Sequence, residues 1–331
     1  VSRPHTKDAV LLTVISTIAV LALNGVGLLV GHTGITGTAA ASSSGGRAPG
    51  KTAVPSASAG RGRTAKAGVP ATLPGGRSTV FGGHRFLVAY YGTAGTGALG
   101  VLGKGSPERM QRRLARAGRA FARPGRPVQL VDELIVSIAD RRPGKDGDYS
   151  HDLTRAQVEP YLRAAHRSGA LLLLDIQTGH SDFLTIAKRW RWALADPWVG
   201  LALDPEWRMS HHDVPGQVIG HVGAAEINRT SAWLAHLVAA RHLPQKLFVV
   251  HQFRGAMIRH IDRVQRRPGL AMVQHVDGFG TPRDKKATFH AVARPRRFTL
   301  GFKLFYQVDV HRMSARQVFA LRPTVRFVSY Q

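Results

Sequence analysis

Eight short apolar runs, each followed by a polar or amphipathic stretch, constrain this chain more than any other feature. They are FLVAYYG (86–92), VQLVDELIVSIAD (128–140), ALLLLDIQ (170–177), VGLALDPEW (199–207), KLFVVHQF (246–253), LAMVQHVDGF (270–279), FTLGFKLFY (298–306) and VRFVSYQ (325–331). Nearly continuous apolar runs of this length suit parallel strands buried on both faces. The intervening stretches read as helices. PERMQRRLARAGRAFA (107–122) sets Met110, Leu114, Ala117 and Phe121 on one face. Thr154 with Gln157 forms a capping box, and Gly169 supplies the C-terminal stop. Ile227, Leu234, Leu237 and Val238 make a stripe over 224–243, and Ser314 with Gln317 opens a short helix. RGAMIRHIDRVQRRPG (254–269) is too weakly periodic for a full helix.

Strands alternating with helices in this number predict an α/β fold, a (β/α)8 TIM-type barrel over residues 84–331. No eighth helix follows the last strand, so that flank is expected to be covered by part of residues 70–85 or to be irregular. A doubly wound open sheet is the competing architecture. The glycine-rich segment YYGTAGTGALG (90–100) is read as lacking the G-x-G-x-x-G spacing of a phosphate cradle and so as a flexible loop over the barrel mouth.

The first eighty residues are of a different kind. Ala9 to Gly31 carries no charge, and its 23 residues span about 34 Å as a helix, enough to cross a bilayer core. Arg3 and Lys7 precede it, and the next Lys or Arg is Arg47. The positive-inside rule then places residues 1–8 in the cytoplasm, an anchor at 9–31, and the rest outside the cell. The competing expectation is a secreted protein cleaved at a small-residue site near Ala41. Residues 32–80 are Gly, Ala, Ser, Thr and Pro with scattered basic residues, the composition of a flexible tether.

There is no cysteine, which excludes disulfides, thiolate metal sites and cysteine nucleophiles. The net charge of +26 comes from 46 Lys and Arg against 20 Asp and Glu. The basic residues are spread along the chain and read as a solvated surface. A sharper possibility is attraction to an anionic wall polymer or lipid headgroups. Nucleic acid is not an expected partner for a domain outside the cytoplasm.

Chemistry in such barrels sits at the C-terminal ends of the strands. Those ends bring Tyr90, Tyr91, Asp140, Asp175 and Gln177, then Asp204, Glu206 and Trp207. The later strands add His251, Gln252, His275, Asp277, Lys303, Tyr306 and Tyr330. Carboxylates for proton transfer, with aromatic rings to stack on pyranose faces, are what a sugar-cleaving cleft requires. Asp204 and Glu206 lie two apart on a strand and so are expected to face the same way, with Pro205 marking the strand's end. A neighbouring carboxylate would raise Glu206 toward the range of a general acid. The plainer expectation for Glu206 is a salt bridge to one of the many arginines, Arg208 for example.

GLALDPEW (200–207) resembles the strand-four motif D-G-x-D-x-D-x-E of family 18 glycoside hydrolases, the chitinases and their relatives. Asp204 and Glu206 match its last aspartate and its glutamate, whereas Val199 and Ala202 replace the first two aspartates. VAYYG in strand one is similar to that family's opening strand, and Asp277 in MVQHVDGFG loosely matches its M-x-Y-D. Family 25 lysozymes also end strand four with D-x-E, so LALDPE resembles them equally. As a whole, the domain also resembles a group of secreted actinobacterial proteins, a likeness that supplies no mechanism. The resemblance implies action on an N-acetylhexosamine-containing cell-wall glycan, with Glu206 as general acid. Either Asp204 positions the substrate's own acetamido group, or Asp277 or Asp175 serves as nucleophile or base. Tyr90, Tyr91, Trp207, Gln177, His251, Gln252, His275, Lys303, Tyr306 and Tyr330 would then line the sugar site. The missing aspartates equally fit a barrel that binds wall glycan without cutting it. SHHD (210–213) and the D-x-D of Asp146 and Asp148 read as solvated loops, so neither a metal nor a cofactor is expected.

Overall fold

A computed structural model describes residues 71–331. Eight parallel strands close into a barrel: β1 (Phe86–Thr93), β2 (Val128–Ala139), β3 (Leu171–Ile176), β4 (Val199–Leu203), β5 (Lys246–Gln252), β6 (Leu270–Val276), β7 (Thr299–Leu304) and β8 (Val325–Tyr330). Each pairs with its successor, and β8 returns to β1 through Leu87–Phe327 to Tyr90–Tyr330. The expected (β/α)8 barrel is therefore present, and the open doubly wound sheet is excluded by the closure. Gly95, Gly97 and Gly100 do stand in G-x-G-x-x-G spacing after β1, but the helix starts only at Pro107. The segment is not a loose lid either. A Cβ on Gly100 would meet the Tyr91 carbonyl oxygen at 2.3 Å, and Val101 and Leu102 are buried.

The helices follow from local chemistry. Helix α1 (Pro107–Gly118) is capped by Ser106, buries Met110 and Leu114 and begins on a proline, tolerated at the first turn. Helix α2 (Arg155–Ser168) has the expected Thr154–Gln157 capping box and ends at left-handed Gly169. The β3–β4 connection holds two short helices not evident in the sequence, α3 (Phe183–Arg189) and α4 (Arg191–Leu194). Helix α5 (Ala224–Ala240) precedes β5, α6 (Pro282–Val292) precedes β7 and α7 (Ala315–Phe319) precedes β8. Between β5 and β6 there is no α-helix, matching the weak periodicity there: 3-10 turns at Gly255–Met257 and Ile261–Arg263 flank a two-residue strand, Ile258–Arg259, that pairs with Val222–Gly223.

Residues 71–85 reach the β8 flank only at its start, where Arg326 donates to the Phe81 and Arg85 carbonyls and lies 4.6 Å over the Phe81 ring. They run beneath the N-terminal ends of the strands, where Trp198 Nε1 donates to the Thr72 carbonyl and Gln245 N to the Ser78 carbonyl. Their Leu73 and Val80 pack with the lower barrel interior: Leu87, Ala89, Val131, Leu171, Leu173, Ala202, Leu247, Val249, Ala271, Val273 and Phe327. The flank between β8 and β1 is filled instead by Phe121 and Phe319, in ring contact with each other and with Phe86. The anchor expected at 9–31 and most of the tether lie outside the described residues. Among the described residues, no helix is long and apolar enough to cross a membrane.

Alternate residues of a strand face opposite sides, so two positions above this apolar layer come Tyr91, Glu133, Asp175, Asp204, His251, His275 and Lys303. Space there is tight. A Cβ on Gly301 would lie 2.5 Å from His275 Cδ2. Gly301→Ala is therefore expected to cost about 1–3 kcal/mol by overpacking, read as a lower denaturant midpoint with an unchanged slope.

Candidate active site

His251 is the hub of the upper layer. Its Nδ1 lies 2.7 Å from Asp277 Oδ2, and its Nε2 lies 2.9 Å from Glu133 Oε1 and 3.3 Å from Asp175 Oδ2. Asp277 is shared further: its Oδ1 is 2.7 Å from His275 Nδ1, and its Oδ2 is 2.8 Å from Lys303 Nζ. The Lys303 ammonium also sits 3.9 Å above the centre of the Tyr91 ring. The strand register explains the grouping, since His251 pairs with His275, His275 with Gly301, and Tyr91 with Glu133. Glu133 is the residue the sequence did not single out. It lies in mid-strand, where burial is complete and the signal is a pair of adjacent acids, Asp132 and Glu133, in an apolar run.

The protonation states follow from this arrangement. Burial disfavours a charged His251, but the Asp277 and Glu133 carboxylates outweigh it and raise the imidazole well above its usual value. Burial likewise opposes ionisation of Asp277, yet the His251 and Lys303 charges hold it well below the carboxylate range. Glu133 is lowered for the same reason, His251 overcoming burial. Lys303 is raised, the Asp277 charge overcoming burial. Two cations are thus matched by two carboxylates. The remaining acids are shifted the other way. Burial raises Asp175, which keeps both oxygens free of hydrogen bonds, and burial with the Asp175 charge lifts Asp204 to about 7.

Glu206 stands at the edge of this cluster. Strand β4 stops at Leu203, and Asp204 caps a 3-10 turn, Pro205–Trp207, by accepting from Glu206 N at 3.2 Å. The two carboxyls are therefore neighbours through a capped turn and not through strand alternation. The turn is braced by Gly220, whose N–H donates to the Glu206 carbonyl at 2.7 Å. A Cβ on Gly220 would meet three carbonyl oxygens of the turn within 2.7 Å. Arg208 does not pair with Glu206. It lies 3.1 Å from Glu226 and also donates to the His180 and Met209 carbonyls. The half-buried Glu206 carboxyl has no hydrogen bond or ion pair among the described residues, and burial followed by the Asp204 charge raises it to about 8.

The other expected site residues divide by strand parity. Tyr91 faces in, and Gln177 braces it, donating to its hydroxyl at 3.4 Å while accepting from Ala139 N. Trp207 is half-buried on the same turn as Glu206. Tyr90 and Tyr330 face outward into the helix layer, Tyr330 against Phe121. Tyr306 stacks on Tyr330 with centroids 5.4 Å apart, and its hydroxyl is 3.3 Å from that of Tyr90. Gln252 also faces outward, accepting from Gln274, which is fixed to the end of α6 through the Val292 carbonyl. These three, Tyr90, Gln252 and Tyr330, are packing residues. Asp140 pairs with His151 at 2.7 Å, away from the hub, and Asp148 is buried against Ser181 rather than solvated.

Two triads have the spacing of metal ligands, His251 with His275 and Asp277, and Glu133 with Asp175 and His251. Both ring nitrogens of His251 already face carboxylates, and the Lys303 ammonium shares the Asp277 oxygen. A metal ion there would be a third cation beside the Lys303 ammonium and the His251 imidazolium, so the donors fit an ion-pair network better than a metal centre.

No family model matches the chain, and no curated protein matches it. Among solved structures the chain is similar to the HpcH/HpaI aldolase from Desulfitobacterium hafniense DCB-2, at 11% identity and a TM-score of 0.34, over 74% of this chain and 85% of that one.

A carboxyl whose folded pKa is raised binds more protons in the folded than in the unfolded state, so it lowers stability as pH climbs from about 4 through the folded value. Glu206→Gln removes that penalty. The variant is expected to match the parent near pH 5 and to exceed it by about 1–3 kcal/mol at pH 8.5, measured by denaturant unfolding at the two pH values. In the opposite direction, Lys303→Met leaves Asp277 short of one of its cations and is expected to cost about 3–5 kcal/mol, seen in the same unfolding measurement at pH 7.

Proposed function

We propose that the barrel is a glycoside hydrolase acting on an N-acetylhexosamine-containing glycan, with Glu206 as the general acid. The observation that carries this is the state of Glu206: a carboxyl that water can reach, without a partner among the described residues, and held protonated at neutral pH beside Asp204. A free acid poised near the working pH is what protonation of a leaving oxygen needs. The choice of glycan rests on the D-x-E resemblance, with Trp207 beside the acid as a stacking surface. An anchor at 9–31 would hold the domain outside the membrane, against wall glycan.

Of the two hydrolytic routes, the geometry favours the substrate-assisted one. Asp277 has both oxygens taken by His251, His275 and Lys303, and Asp175 is fully buried, so neither is free to attack a sugar or activate water. In the substrate-assisted route, Glu206 gives its proton to the glycosidic oxygen as the bond to the anomeric carbon breaks. The substrate's acetamido oxygen closes on that carbon, while its N–H is held by Asp204. Water then opens the ring so formed, and the Glu206 carboxylate takes the proton that water loses.

The test is reducing-end release from purified peptidoglycan and from chitin oligomers, by the protein and by its Glu206→Gln variant. Release by the parent and a loss of about 10²–10⁴-fold in the variant are expected. Because Glu206 must carry its proton, the rate is expected to fall as pH rises through about 8. Retention on the same glycan without release would assign the cleft to binding, and neither release nor retention would overturn the substrate class.

A further inference from the structure

The mouth of this barrel carries both signs of charge, with Arg208, Arg254 and Arg312 in the loops that follow strands, whereas its N-terminal end carries arginines almost without carboxylates. The acids described above lie in the upper interior or in the loops after the strands. The turns that lead into β2, β5, β6, β7 and β8 (119–127, 241–245, 264–269, 293–298 and 320–324) contain no Asp or Glu, and neither does the segment 71–85. The turn into β4 has Asp196, which is taken by His166 at 2.8 Å. Arginines fill those same turns, as RPGR (123–126), RRPG (266–269) and RPRR (294–297).

They gather around two hollows on the N-terminal end of the barrel. One, of about 630 Å³, has Arg266, Arg267 and Arg297 in its wall; the other, of about 400 Å³, has Arg123, Arg126 and Arg316. Neither wall contains a carboxylate. None of the six arginines has an ion-pair partner among the described residues, and all but Arg267 are exposed. Arg123 and Arg126 are held over the Phe319 ring, at 4.8 and 5.5 Å.

We propose that this arginine face docks on an anionic lipid surface and so turns the barrel mouth away from it. Two separate clusters on either side of the floor suit a plane of charge better than a single threaded polymer. The described chain also enters at this end, since residues 71–85 form the floor, and the uncharged stretch 9–31 precedes it in sequence. No Asp or Glu occurs from residue 9 to residue 107, so the whole approach to the barrel is free of charge that an anionic surface would repel. Exposed large hydrophobic side chains are confined to Val218 and Val310 among the described residues, neither of them on the floor. The attachment is therefore electrostatic and sensitive to salt.

The absence of native cysteine permits clean single labels. The full chain, carrying Ala320→Cys on the floor or His212→Cys near the mouth, is reconstituted into vesicles with an acceptor dye on the lipid headgroups. With phosphatidylglycerol present, transfer from the floor label is expected to exceed that from the mouth label by roughly twofold or more. The difference should vanish in pure phosphatidylcholine and at 1 M salt, where the screening length is about 3 Å. It should also vanish when Arg126, Arg266, Arg297 and Arg316 are replaced by Gln, each loss weakening the attraction roughly fivefold. Unchanged thermal unfolding of that variant shows that its fold is kept. Equal transfer from both labels on anionic vesicles would overturn the proposal. So would binding of soluble polyphosphate together with indifference to the vesicles, which would make the face a polymer site.

Discussion

A protonated His251, held between Glu133 on one side and Asp277 on the other, is the interaction on which the upper barrel depends. An isolated charge in such a place would cost several kcal/mol in lost hydration, so the interior tolerates ions only in matched sets. His251 and Lys303 supply two positive charges, and Asp277 and Glu133 answer them. That balance leaves little positive charge for the next carboxyls up, with His251 reaching only Asp175, at 3.3 Å. Asp175, Asp204 and Glu206 are pushed toward their protonated forms by burial first; a neighbouring carboxylate comes second at Asp204 and Glu206, whereas at Asp175 burial prevails over the opposing pull of His251. The acidity proposed for Glu206 is thus a consequence of how charge is distributed below it.

The lower half of the barrel makes that balance possible. Leu73 and Val80 seal the floor against the inward residues of the strands, so water reaches the ionic layer only from the mouth. Hydrogen bonds from Arg77 to the Pro74 and Val80 carbonyls hold the sealing segment in shape. A floor made from chain preceding β1 is economical: the same residues close the core and set where the polypeptide enters the domain. It also accounts for a segment whose glycine-rich composition resembles a linker, yet whose Leu73 and Val80 side chains are buried.

The barrel was legible because parallel strands buried on both sides leave continuous apolar runs, and eight of them occur in order. The site was half legible. Reading the polar residues at the end of each run found His251, His275, Asp277, Asp175 and Lys303. It also swept in Tyr90, Gln252 and Tyr330, which are sequence neighbours of inward-facing positions and therefore point the other way. Glu133 was missed for a related reason. Strand β2 continues past the rim to Ala139, where it pairs with a short antiparallel strand at Ser150–Asp152, so the end of its run is not the level of the site. Only the register with β1, which sets Tyr91 beside Glu133, locates that level. The turn at Asp204 was hidden because a proline after a strand announces a stop without specifying the cap that follows.

The large positive charge of the chain does not set the chemistry at the mouth. A seven-residue strand is about 23 Å long, so the floor arginines stand roughly three screening lengths from Glu206 at physiological salt. Through water, their field there is reduced to about a twentieth of its unscreened size. Asp204 and the hub around His251 act at a few ångströms through a medium that screens far less. Local pairs therefore decide which groups hold protons, and the arginine face can change without disturbing them. The two ends of the barrel are free to meet separate demands, one on charge density at a surface and the other on the placement of a single proton.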